Sequence, residues 1–599
     1  MTDTATIDIA EDGEASRSDQ QVDPEATAAY WLNEFGVALA GDVDMDALES
    51  LFVDDCWWRD LLAITWDLQT ARGFGQIRAK FGERLPQVEF SDFAVDQSIP
   101  PSLADGVVTA AFTFQSGIAR GRGIVRLMPD EAGRFRAWTV LTKVEELIGH
   151  EERTTSVHDA ARESHNKPVE HRESWPEKRR RETEFADTEP DVVVVGAGHA
   201  GLTVAARLGH LGVDTLIVEK SERLGDVWRL RYNNLSLHDT KWYGQMPYLA
   251  YPDNWPVFAP KELIADWFEA YAWILQLNVW TQTEAVKADY DESKNRWTLT
   301  VNRGGVERVL RPRHVVFATG AFAGEPSIPA VAGVEDFQGE AIHSSAHHGG
   351  RELAGKKVIV VGTGASAHDV AQDAHEQGAQ VTMVQRGPTY VVSSKYGVPA
   401  MHEALYSESS PPVDDADLLA MSMPWNLFLE VAGPGVEALA EIDKDLLAGL
   451  RDAGFQLTDG INGSGLFGLS LTRGGGYYID KGCSQLIIDR KIALQHGEVE
   501  RFTPTGVVYS DGTEAEADLV VFATGWPNMR DNLRPIIGDE VADRLTEVWG
   551  LDEQGEIKGS FRPSGHPRLW FMAGGFQQSR YGSKLLALQI KAVEVGLNA

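Results

Sequence analysis

The chain has 599 residues with 43% hydrophobic and 24% charged side chains, and this length exceeds what one hydrophobic core serves, so several domains are expected. Its formal net charge of -34 disfavours nucleic acid and anionic membranes as partners. No apolar run approaches the roughly 18 residues of a membrane span, and the polar, acidic first residues lack the pattern of a signal or transit peptide, so we expect a cytoplasmic protein.

The first 150 residues predict a small α+β domain after a disordered start. Residues 1–24 are acidic with few bulky apolar side chains, so we expect them to be disordered. From Ala26 apolar residues recur at helical spacing, and a second helix capped by an aspartate leads into DDCWWRDLLA, which we interpret as part of a helical start. Strands are predicted at Gly106–Gln115, Gly121–Met128 and Arg136–Ile148. The domain spans residues 25–150.

The segment FVDDCWWRDLLAITWD followed by R-G-x-G-x-I-x-A-K-F resembles the small SnoaL-like cone folds, which hold a hydrophobic pocket. Two interpretations of its polar and aromatic residues stay open, a ligand pocket and a Trp-rich core or interdomain contact. We favour packing, because aromatic clusters usually pack, and assign no catalysis to this domain. The residues concerned are Trp57, Trp58, Trp66, Arg59 and Asp60.

Residues 151–188 are dominated by charged side chains, which is typical of a linker. The basic run Lys178–Arg181 suggests nucleic-acid binding when taken alone. Three glutamates flank it, however, so we interpret it as a solvated interdomain arm.

A dinucleotide phosphate site is predicted where Asp191–Val195, of buried-strand character, runs into Gly196-x-Gly198-x-x-Gly201. These glycines permit a sharp turn, close approach of a pyrophosphate and tight helix packing, in that order. The N terminus of the following helix, predicted at Leu202–Leu211, offers free N–H groups to the phosphates. A second strand at Thr215–Val218 ends at Glu219, whose carboxylate can accept hydrogen bonds from ribose hydroxyls.

A second unit of the same design lies about 160 residues further on, which implies two dinucleotides. Strand Lys357–Val361 runs into Gly362-x-Gly364-x-x-Ala367, and helix His368–Glu376 and strand Gln380–Gln385 follow. This second strand ends in glutamine rather than an acid, and Arg386 comes next. A carboxylate would repel a 2′-phosphate and a guanidinium can bind one, so NADPH should bind at least as well as NADH.

The segment GDVWRLRYNNLSLHDTKW resembles the GxxWR region of flavin-containing monooxygenases, with Gly225, Trp228 and Arg229 at matching positions. Phe337-x-Gly339-x-x-x-His343-x-x-x-His347 resembles their fingerprint FxGxxxHxxx(Y/F) and the FxGxxxHxxxW of Baeyer–Villiger enzymes. The last histidine departs from both and resembles type II flavin-containing monooxygenases, which accept both nicotinamide cofactors and can oxidise ketones. The resemblance runs from Asp191 to the C terminus and implies FAD at the first glycine turn and NADPH, or NADH, at the second.

The hexapeptide VVFATG occurs at Val315–Gly320 and at Val520–Gly525, which predicts two strands of equal design. In two-dinucleotide oxidoreductases such turns mark crossings between the domains. The predicted fold class is therefore α/β, with two Rossmann-like dinucleotide-binding domains, the NADP domain being inserted in a discontinuous FAD domain, plus the N-terminal α+β cone-like domain. The FAD-binding domain is predicted to comprise residues 189–350 and 515–599, and the NAD(P)-binding domain with its helical insert residues 351–514.

The resemblance places Trp228, Arg229, His238 and Asp239 near the ribityl and isoalloxazine portions of FAD. It also makes His238 or Lys241 the candidate that tunes protonation of the flavin peroxide. The candidate cofactor-binding residues are Gly196, Gly198, Gly201, Glu219, Gly225, Trp228, Arg229, His238, Asp239, Thr319, Gly320, Gly362, Gly364, Ser366, Ala367, Arg386, Thr524, Gly525 and Gln589.

Three further features carry open alternatives. His343 could be an acid or base, since imidazole titrates near neutrality, but we favour a structural hinge between the nucleotide domains. No metal site is predicted from His343, His347 and His348, because no carboxylate or cysteine completes a ligand set nearby. The helical patches of 401–467 form a substrate cap or only pack, and Gln589 lies on a predicted amphipathic C-terminal helix that packs near the flavin by resemblance.

The function implied is that of an FAD-dependent NAD(P)H:O2 monooxygenase acting through a flavin 4a-(hydro)peroxide, by S- or N-oxygenation or by Baeyer–Villiger oxidation of ketones. Its partners would be a small-molecule substrate and O2, with a homodimer left open. A disulfide reductase is disfavoured because Cys56 and Cys483 lie outside any CxxC and are expected to be inert core thiols. Another flavin oxidoreductase or oxidase, and a flavin-bound redox-sensing or ligand-binding protein, are the alternatives.

Overall fold

The computed structural model describes residues 22–153, 173–320, 324–349 and 352–598. The disorder predicted for residues 1–21, and the predicted linker from 154 to 172, lie outside these ranges. The chain divides into two compact units, an N-terminal unit (Met1–Thr65 and Gln69–Glu145) and a large unit (Trp66–Leu68 and Glu146–Ala599). Within the described ranges, no helix has the length and apolar character needed to cross a membrane.

From residue 22 onward the N-terminal unit has a seven-stranded sheet and four helices, and the predicted aspartate cap is Asp44, which accepts the N–H groups of residues 46 and 47. The helical start predicted for DDCWWRDLLA is wrong, because this segment belongs to a strand. The strand is buried on both faces over its second half, which removes the alternation that reveals a strand in sequence. The strands are Phe52–Leu61, Leu68–Arg72, Ser91–Val95, Ser102–Ala104, Val107–Gln115, Ala119–Pro129 and Phe135–Leu147; the helices are Pro24–Leu39, Met45–Ser50, Phe74–Phe81 and Leu85–Val88.

Aromatic side chains fill the core of this unit. The Trp58 ring stacks on Phe52 with centroids 5.9 Å apart, and its Nε1 donates to the Thr142 hydroxyl at 3.0 Å. Asp60 is fully buried and accepts hydrogen bonds from the backbone of Ile64 and from the Thr142 hydroxyl. Burial raises the pKa of Asp60 to about 7, against the opposing effect of these hydrogen bonds. Trp58 and Asp60 are therefore buried and hydrogen-bonded within the unit, whereas their packing role and the SnoaL-like identity of the unit stay predictions.

The first sheet of the large unit has five parallel strands around the first glycine turn. Their order is Asn278–Trp280, Thr215–Val218, Val192–Val195, His314–Phe317 and Leu569–Phe571. The predicted strands before the turn and at 215–218 are confirmed. Because the strands are parallel, their carboxyl ends meet at one edge, which is where ligands bind in open α/β sheets.

The second sheet repeats this design around the second glycine turn. Its order is Glu340–His343, Leu519–Phe522, Lys357–Val361, Gln380–Gln385 and Ile492–His496, all parallel. The strands predicted at 357–361 and 380–385 are confirmed, but the sheet extends beyond the predicted limits 351 and 514 on both sides. The reason is that the second VVFATG strand pairs with the strand before its glycine turn, as the first VVFATG strand does in the first sheet.

The remaining elements surround these sheets. The structure gives a helix within the predicted linker, whose Arg179 donates to the Gln276 carbonyl at 2.7 Å and to the Asn278 side chain at 2.9 Å, so the basic run is partly docked rather than a solvated arm. Smaller sheets contain Thr283–Asp291, Arg296–Arg303 and Val306–Leu310; Tyr390–Ser393 and Tyr477–Asp480; and Val499–Thr503, Gly506–Tyr509 and Glu514–Glu516. The helices are Trp175–Glu184, His199–His210, Asp226–Arg229, Lys261–Ile274, Ala365–Glu376, Gly397–His402, Val413–Met421, Trp425–Val431, Gly433–Ile442, Lys444–Asp452, Gly465–Arg473, Cys483–Ile488, Met529–Asn532, Arg534–Ile537, Asp539–Arg544 and Phe576–Glu594, with 3-10 turns at Val334–Asp336, Ser344–Ala346 and Ile461–Gly463.

The C-terminal helix predicted from the sequence is present at Phe576–Glu594, and it is buried around most of its circumference. It packs along His199–His210, and its buried polar residues bond to neighbouring segments. Both cysteines are buried and free, as predicted.

Candidate functional site

The first glycine turn has the shape of a phosphate cradle. An added Cβ at Gly201 would lie 1.9 Å from the carbonyl oxygen of Gly196, and at Gly196, where φ is +106°, it would lie 2.6 Å from the carbonyl oxygen of Ala318. At Gly198, an added Cβ would meet no atom of the described residues within 4 Å. The protein therefore needs two of these glycines for its own packing and leaves open space at the third, which fits a pyrophosphate at the helix N terminus.

Glu219 stands at the end of the neighbouring strand, as predicted. One of its carboxylate oxygens accepts the N–H of Ala197 at 2.8 Å, and the other accepts the N–H of Ser221 at 2.9 Å. Each oxygen keeps a further lone pair for a ribose hydroxyl. The carboxylate thus holds the turn in place and can also contact a nucleotide.

The second glycine turn reproduces this geometry. Gly362 has a φ of +120°, and an added Cβ would lie 2.7 Å from the carbonyl oxygen of Ala523. At Gly364 the nearest atom to an added Cβ is the carbonyl oxygen of Tyr477 at 3.9 Å. Ser366 and Ala367 follow in the first turn of the helix, Ala367 being buried. The alanines beside the two turns, Ala318 and Ala523, belong to the two VVFATG repeats, so each repeat closes one glycine turn.

In the second sheet, the strand end that corresponds to the position of Glu219 carries no acid, and its side chains make different contacts. Gln385 is fully buried, donating to the carbonyl of Gln456 at 2.9 Å and accepting its N–H at 2.9 Å. Arg386 points outward with a side chain that is 82% exposed, paired with Glu498 at 3.4 Å. Its guanidinium is therefore accessible to a 2′-phosphate, and that role stays a prediction.

A third glycine turn, Gly574–Gly575, was missed by the sequence analysis. It joins strand Leu569–Phe571 to the C-terminal helix, whose N-terminal N–H groups have no side-chain cap. The His199 ring donates from Nε2 to the Gly574 carbonyl at 2.9 Å and stacks on Phe576 at 4.4 Å, and burial lowers the pKa of this imidazole. Two helix N termini thus lie together at the carboxyl edge of the first sheet. The signal was the glycine pair directly after an apolar strand.

The GxxWR segment forms the short helix Asp226–Arg229, which follows the two predicted strands around the first glycine turn. Gly225 has a φ of +84°, and an added Cβ would lie 2.4 Å from the carbonyl oxygen of Ala265. Trp228 packs against Phe576. The Arg229 guanidinium pairs with three carboxylates, those of Asp226, Asp266 and Glu269.

The residues that were predicted to lie near the flavin ring belong to one segment of the chain, but their contacts differ. The Lys241 ammonium donates to the carbonyls of Asp253 at 2.7 Å and Trp255 at 3.2 Å, which leaves it one free donor. Asp239 lies 3.4 Å from Nε2 of His402. His238 places Nε2 3.7 Å from the Asp369 carboxylate, too far for a hydrogen bond but within ion-pair range. The Lys241 ammonium is thus bound by two backbone carbonyls, whereas His238 faces a carboxylate.

His343 ends its strand beside the second VVFATG repeat. Its Nδ1 lies 2.9 Å from the Ser345 hydroxyl, its ring meets Trp526 edge-on at 5.1 Å, and its buried Nε2 has no hydrogen-bond partner among the described residues. Burial lowers the pKa of His343, so the neutral imidazole is favoured. Thr319 and Gly320 follow the first repeat strand, and Thr524 and Gly525 follow the second, where both bond the backbone of Ser327.

Gln589 is fully buried within the C-terminal helix, about 20 Å along its axis from Phe576 at 1.5 Å per residue. Its Nε2 donates to the carbonyls of Phe561 at 2.7 Å and Leu585 at 3.1 Å, and its buried Oε1 has no hydrogen-bond partner among the described residues. Gln577 and Gln578, at the first turn of this helix, lie beside the glycine pair instead. The predicted ring contact of Gln589 gains no support from these bonds.

One buried imidazole next to the second turn makes stability depend on pH. His368 stacks on Tyr478 at 3.8 Å, and burial lowers its pKa to about 4, against the opposing effect of the Gly364 carbonyl. As pH falls from the unfolded value near 6.5, the unfolded chain takes up a proton that the folded chain refuses, so stability is lost.

We expect His368→Phe, which keeps the stacking and removes the titration, to lose about 2 kcal/mol less stability than the parent between pH 7 and pH 5. Urea-unfolding midpoints at the two pH values measure this. Parallel losses in parent and variant would show that His368 is protonated without penalty.

The comparisons with known proteins agree with a two-nucleotide oxidoreductase. The profile of the family described as Pyridine nucleotide-disulphide oxidoreductase matches residues 190–405. Indole-3-pyruvate monooxygenase YUCCA1 of Oryza sativa subsp. japonica is 31% identical over 364 residues, which cover 60% of this chain and 80% of that protein. Probable indole-3-pyruvate monooxygenase YUCCA10 of Arabidopsis thaliana is 28% identical over 338 residues, 56% of this chain and 81% of that protein.

Solved structures show the same fold. A cyclohexanone monooxygenase with bound epsilon-caprolactone has a TM-score of 0.51 at 20% identity, covering 68% of this chain and 88% of that chain. An oxidised steroid monooxygenase bound to NADP has a TM-score of 0.50 at 20% identity, covering 68% and 86%.

Fold and site define an oxidoreductase with two dinucleotide-binding domains. The chain belongs to the class B flavin monooxygenase family, which confirms the resemblance drawn from its motifs. It is accordingly an enzyme, and the predicted cofactors FAD and NADP are those of this family.

Proposed function

We propose that the protein is an FAD-dependent NAD(P)H:O2 monooxygenase that inserts one oxygen atom into a small organic substrate. The observation that carries the proposal is the pair of glycine turns with open space at Gly198 and Gly364, each closed by one VVFATG repeat. NAD(P)H and a proton supply the electrons and hydrogen that reduce one oxygen atom of O2 to water, while the other enters the substrate. The cytoplasmic location and a homodimer stay predictions.

The chain's own residues bind and orient in this scheme. FAD, when bound, supplies the redox and oxygen-activating chemistry. The first turn and Glu219 would hold its pyrophosphate and ribose, and the second turn with Arg386 would hold NADPH. His238, buried at Nε2 beside a carboxylate, is the residue we propose for control of a proton near the flavin, since the Lys241 ammonium is bound by two carbonyls.

Anaerobic reduction of the FAD-loaded protein tests the function directly. We expect NADPH to bleach the flavin absorbance, and readmitted O2 to restore it with oxygenated product when a substrate is present. The panel would contain sulfides, amines and ketones, including 2-oxo acids, because the rice relative is named for indole-3-pyruvate. Formation of hydrogen peroxide alone with every compound would favour the oxidase alternative, and absence of reduction would favour a binding or sensing protein.

The preference for NADPH should depend on Arg386. Arg386→Ala removes an exposed guanidinium that can make a charge-assisted bond to a 2′-phosphate, so we expect KM for NADPH to rise about tenfold and KM for NADH to change less than about twofold. Steady-state oxygen uptake with each cofactor measures this. Arg501→Ala, which removes another exposed arginine paired with a glutamate, is the control. Equal effects on both cofactors would refute the phosphate assignment.

A further inference from the structure

The helix that follows the second glycine turn carries two buried carboxylates one turn apart, Asp369 and Asp373, with relative exposures of 1% and 4%. Residues four apart on a helix share one face. Both carboxylates reach segments outside this helix and its glycine turn: Asp369 reaches residues 232–238, and Asp373 reaches residues 343–348. The first segment ends at His238, and the second contains His347.

Asp369 bonds the flavin-side segment. Its Oδ2 accepts the buried Tyr232 hydroxyl at 2.7 Å and lies 3.7 Å from Nε2 of His238, and its backbone carbonyl accepts the Asn234 side chain at 3.5 Å. Lys481 adds contacts to the same segment through the Asn234 carbonyl and the Ser236 hydroxyl, both at 3.1 Å. Burial alone would raise the pKa of Asp369, but His238, Lys481 and Tyr232 outweigh it and hold the pKa below its usual value.

Asp373 bonds the fingerprint segment. Its Oδ2 lies 2.7 Å from Nε2 of His347, the residue that departs from the aromatic position of the family fingerprint, and it also accepts the Gln377 side chain at 2.8 Å. His348 then contacts the Leu230 carbonyl through Nδ1 at 2.7 Å. The fingerprint segment is thus attached to the helix that follows the second glycine turn. One residue later, it is also attached to the chain just before Tyr232.

The Asp369 contact leaves polar atoms that packing alone does not explain. Asn234 Oδ1, His238 Nε2 and Asp369 Oδ1 are buried without a hydrogen-bond partner among the residues that the structure describes, whereas the Asp373 contact leaves one such atom, His347 Nδ1. A buried polar atom without a partner costs free energy, and native proteins concentrate such costs at functional sites. Asp369 also lies one helical turn beyond the residues that would contact a pyrophosphate at Gly364, so it connects the nucleotide turn to His238 directly.

We propose that Asp369 is a positioning residue that fixes Tyr232 and His238 relative to the second glycine turn, so that the hydride donor and the flavin are correctly placed for transfer. The proposal rests on the proposed function for its kinetic consequence. Asp373 makes the equivalent attachment for residues 343–348 and serves as the matched comparison.

Hydrogen–deuterium exchange of the FAD-loaded full chain tests the attachment without turnover. Asp369→Asn should speed exchange about tenfold or more in residues 232–238 and leave 343–348 unchanged. The neutral amide keeps an acceptor for Tyr232 but loses the charge, and hydrogen bonds to charged groups are roughly twice as strong as neutral ones. A loss of about 1.4 kcal/mol of local stability corresponds to tenfold faster exchange. Asp373→Asn should show the reverse pattern. Equal exchange in both segments for either variant would overturn the specific attachment.

Anaerobic stopped-flow reduction by NADPH tests the consequence. We expect Asp369→Asn to slow flavin reduction about 10- to 100-fold, since small misplacements of reacting groups are costly, with the FAD and NADP+ dissociation constants changed less than about threefold. Tyr232→Phe removes the hydroxyl that donates to Asp369. The variant that combines both substitutions should be reduced no more slowly than the slower single variant. Glu376→Gln, exposed on the same helix, is the control.

The outcomes separate the two proposals. If the parent protein is not reduced by NADPH or NADH, the proposed function fails, and the exchange data still decide whether Asp369 fixes residues 232–238. If the parent is reduced and both Asp369→Asn and Tyr232→Phe are reduced equally fast, the positioning role fails and the function stands.

Discussion

Gly201→Ala is expected to yield a protein that no longer holds FAD and unfolds more readily by more than about 3 kcal/mol. The added Cβ would lie 1.9 Å from the Gly196 carbonyl oxygen, which is backbone and cannot move without opening the turn. Helix His199–His210 would have to separate from its strand, and the buried C-terminal helix packed along it would follow. The midpoint of thermal unfolding and the flavin content after purification measure both effects.

Gly198→Ala is the matched control, because within the part of the chain that the structure describes the added Cβ meets no atom closer than 4 Å, and the backbone there is extended, with φ of -70°. The cofactor-free protein should keep its stability within about 0.5 kcal/mol, while FAD affinity should fall at least about tenfold, since the methyl group would occupy the space of the pyrophosphate. Gly364→Ala should instead retain FAD and weaken NADPH binding. If Gly201→Ala kept normal flavin content, the turn would not be a close-packed cradle.

Local rules predicted the two nucleotide units from the sequence well. Gly196, Gly201 and Gly362 answer needs of the backbone itself, a positive φ or a close contact, whereas Gly198 and Gly364 leave open space, and this pattern of glycines is readable in the sequence. The strands at 357–361 and 380–385 were predicted residue for residue because they are short runs rich in β-branched residues and bounded by turns. The VVFATG repeat also signalled an equivalent role in both sheets.

The same local rules could not predict contacts between residues that are far apart in the sequence. The Tyr232–Asp369 bond joins residues 137 apart, and nothing in either neighbourhood indicates the other. Gln385 was interpreted as a missing acid, whereas its buried amide binds the backbone of Gln456, 71 residues away. The strand around Trp58 was misjudged because burial on both faces hides its period. The sequence therefore indicates which residues are unusual, and the fold determines what they contact.

The second large effect concerns the buried pair that attaches the helical insert to the C-terminal helix. Arg580 and Asp417 are 1% and 3% exposed and form two hydrogen bonds of 2.7 Å. Tyr406 donates to the same carboxylate at 2.8 Å, and Arg580 donates to the carbonyls of Tyr243 and Gln245. Burial alone would lower the pKa of Arg580, but Asp417 outweighs it and raises the pKa.

Arg580→Met should lower the free energy of unfolding by about 3–5 kcal/mol, because it leaves the Asp417 charge buried with a single hydroxyl donor. Adding Asp417→Asn should recover some of that loss, since the amide removes the charge and still accepts from Tyr406. Arg544→Met, which breaks an exposed pair with Glu540, should cost no more than about 1 kcal/mol. Urea unfolding of the parent and these variants, with Asp417→Asn alone, measures the differences. A double variant as unstable as the sum of its single variants would show that the two charges are not coupled, and the helical insert would then be held to the C-terminal helix by apolar packing.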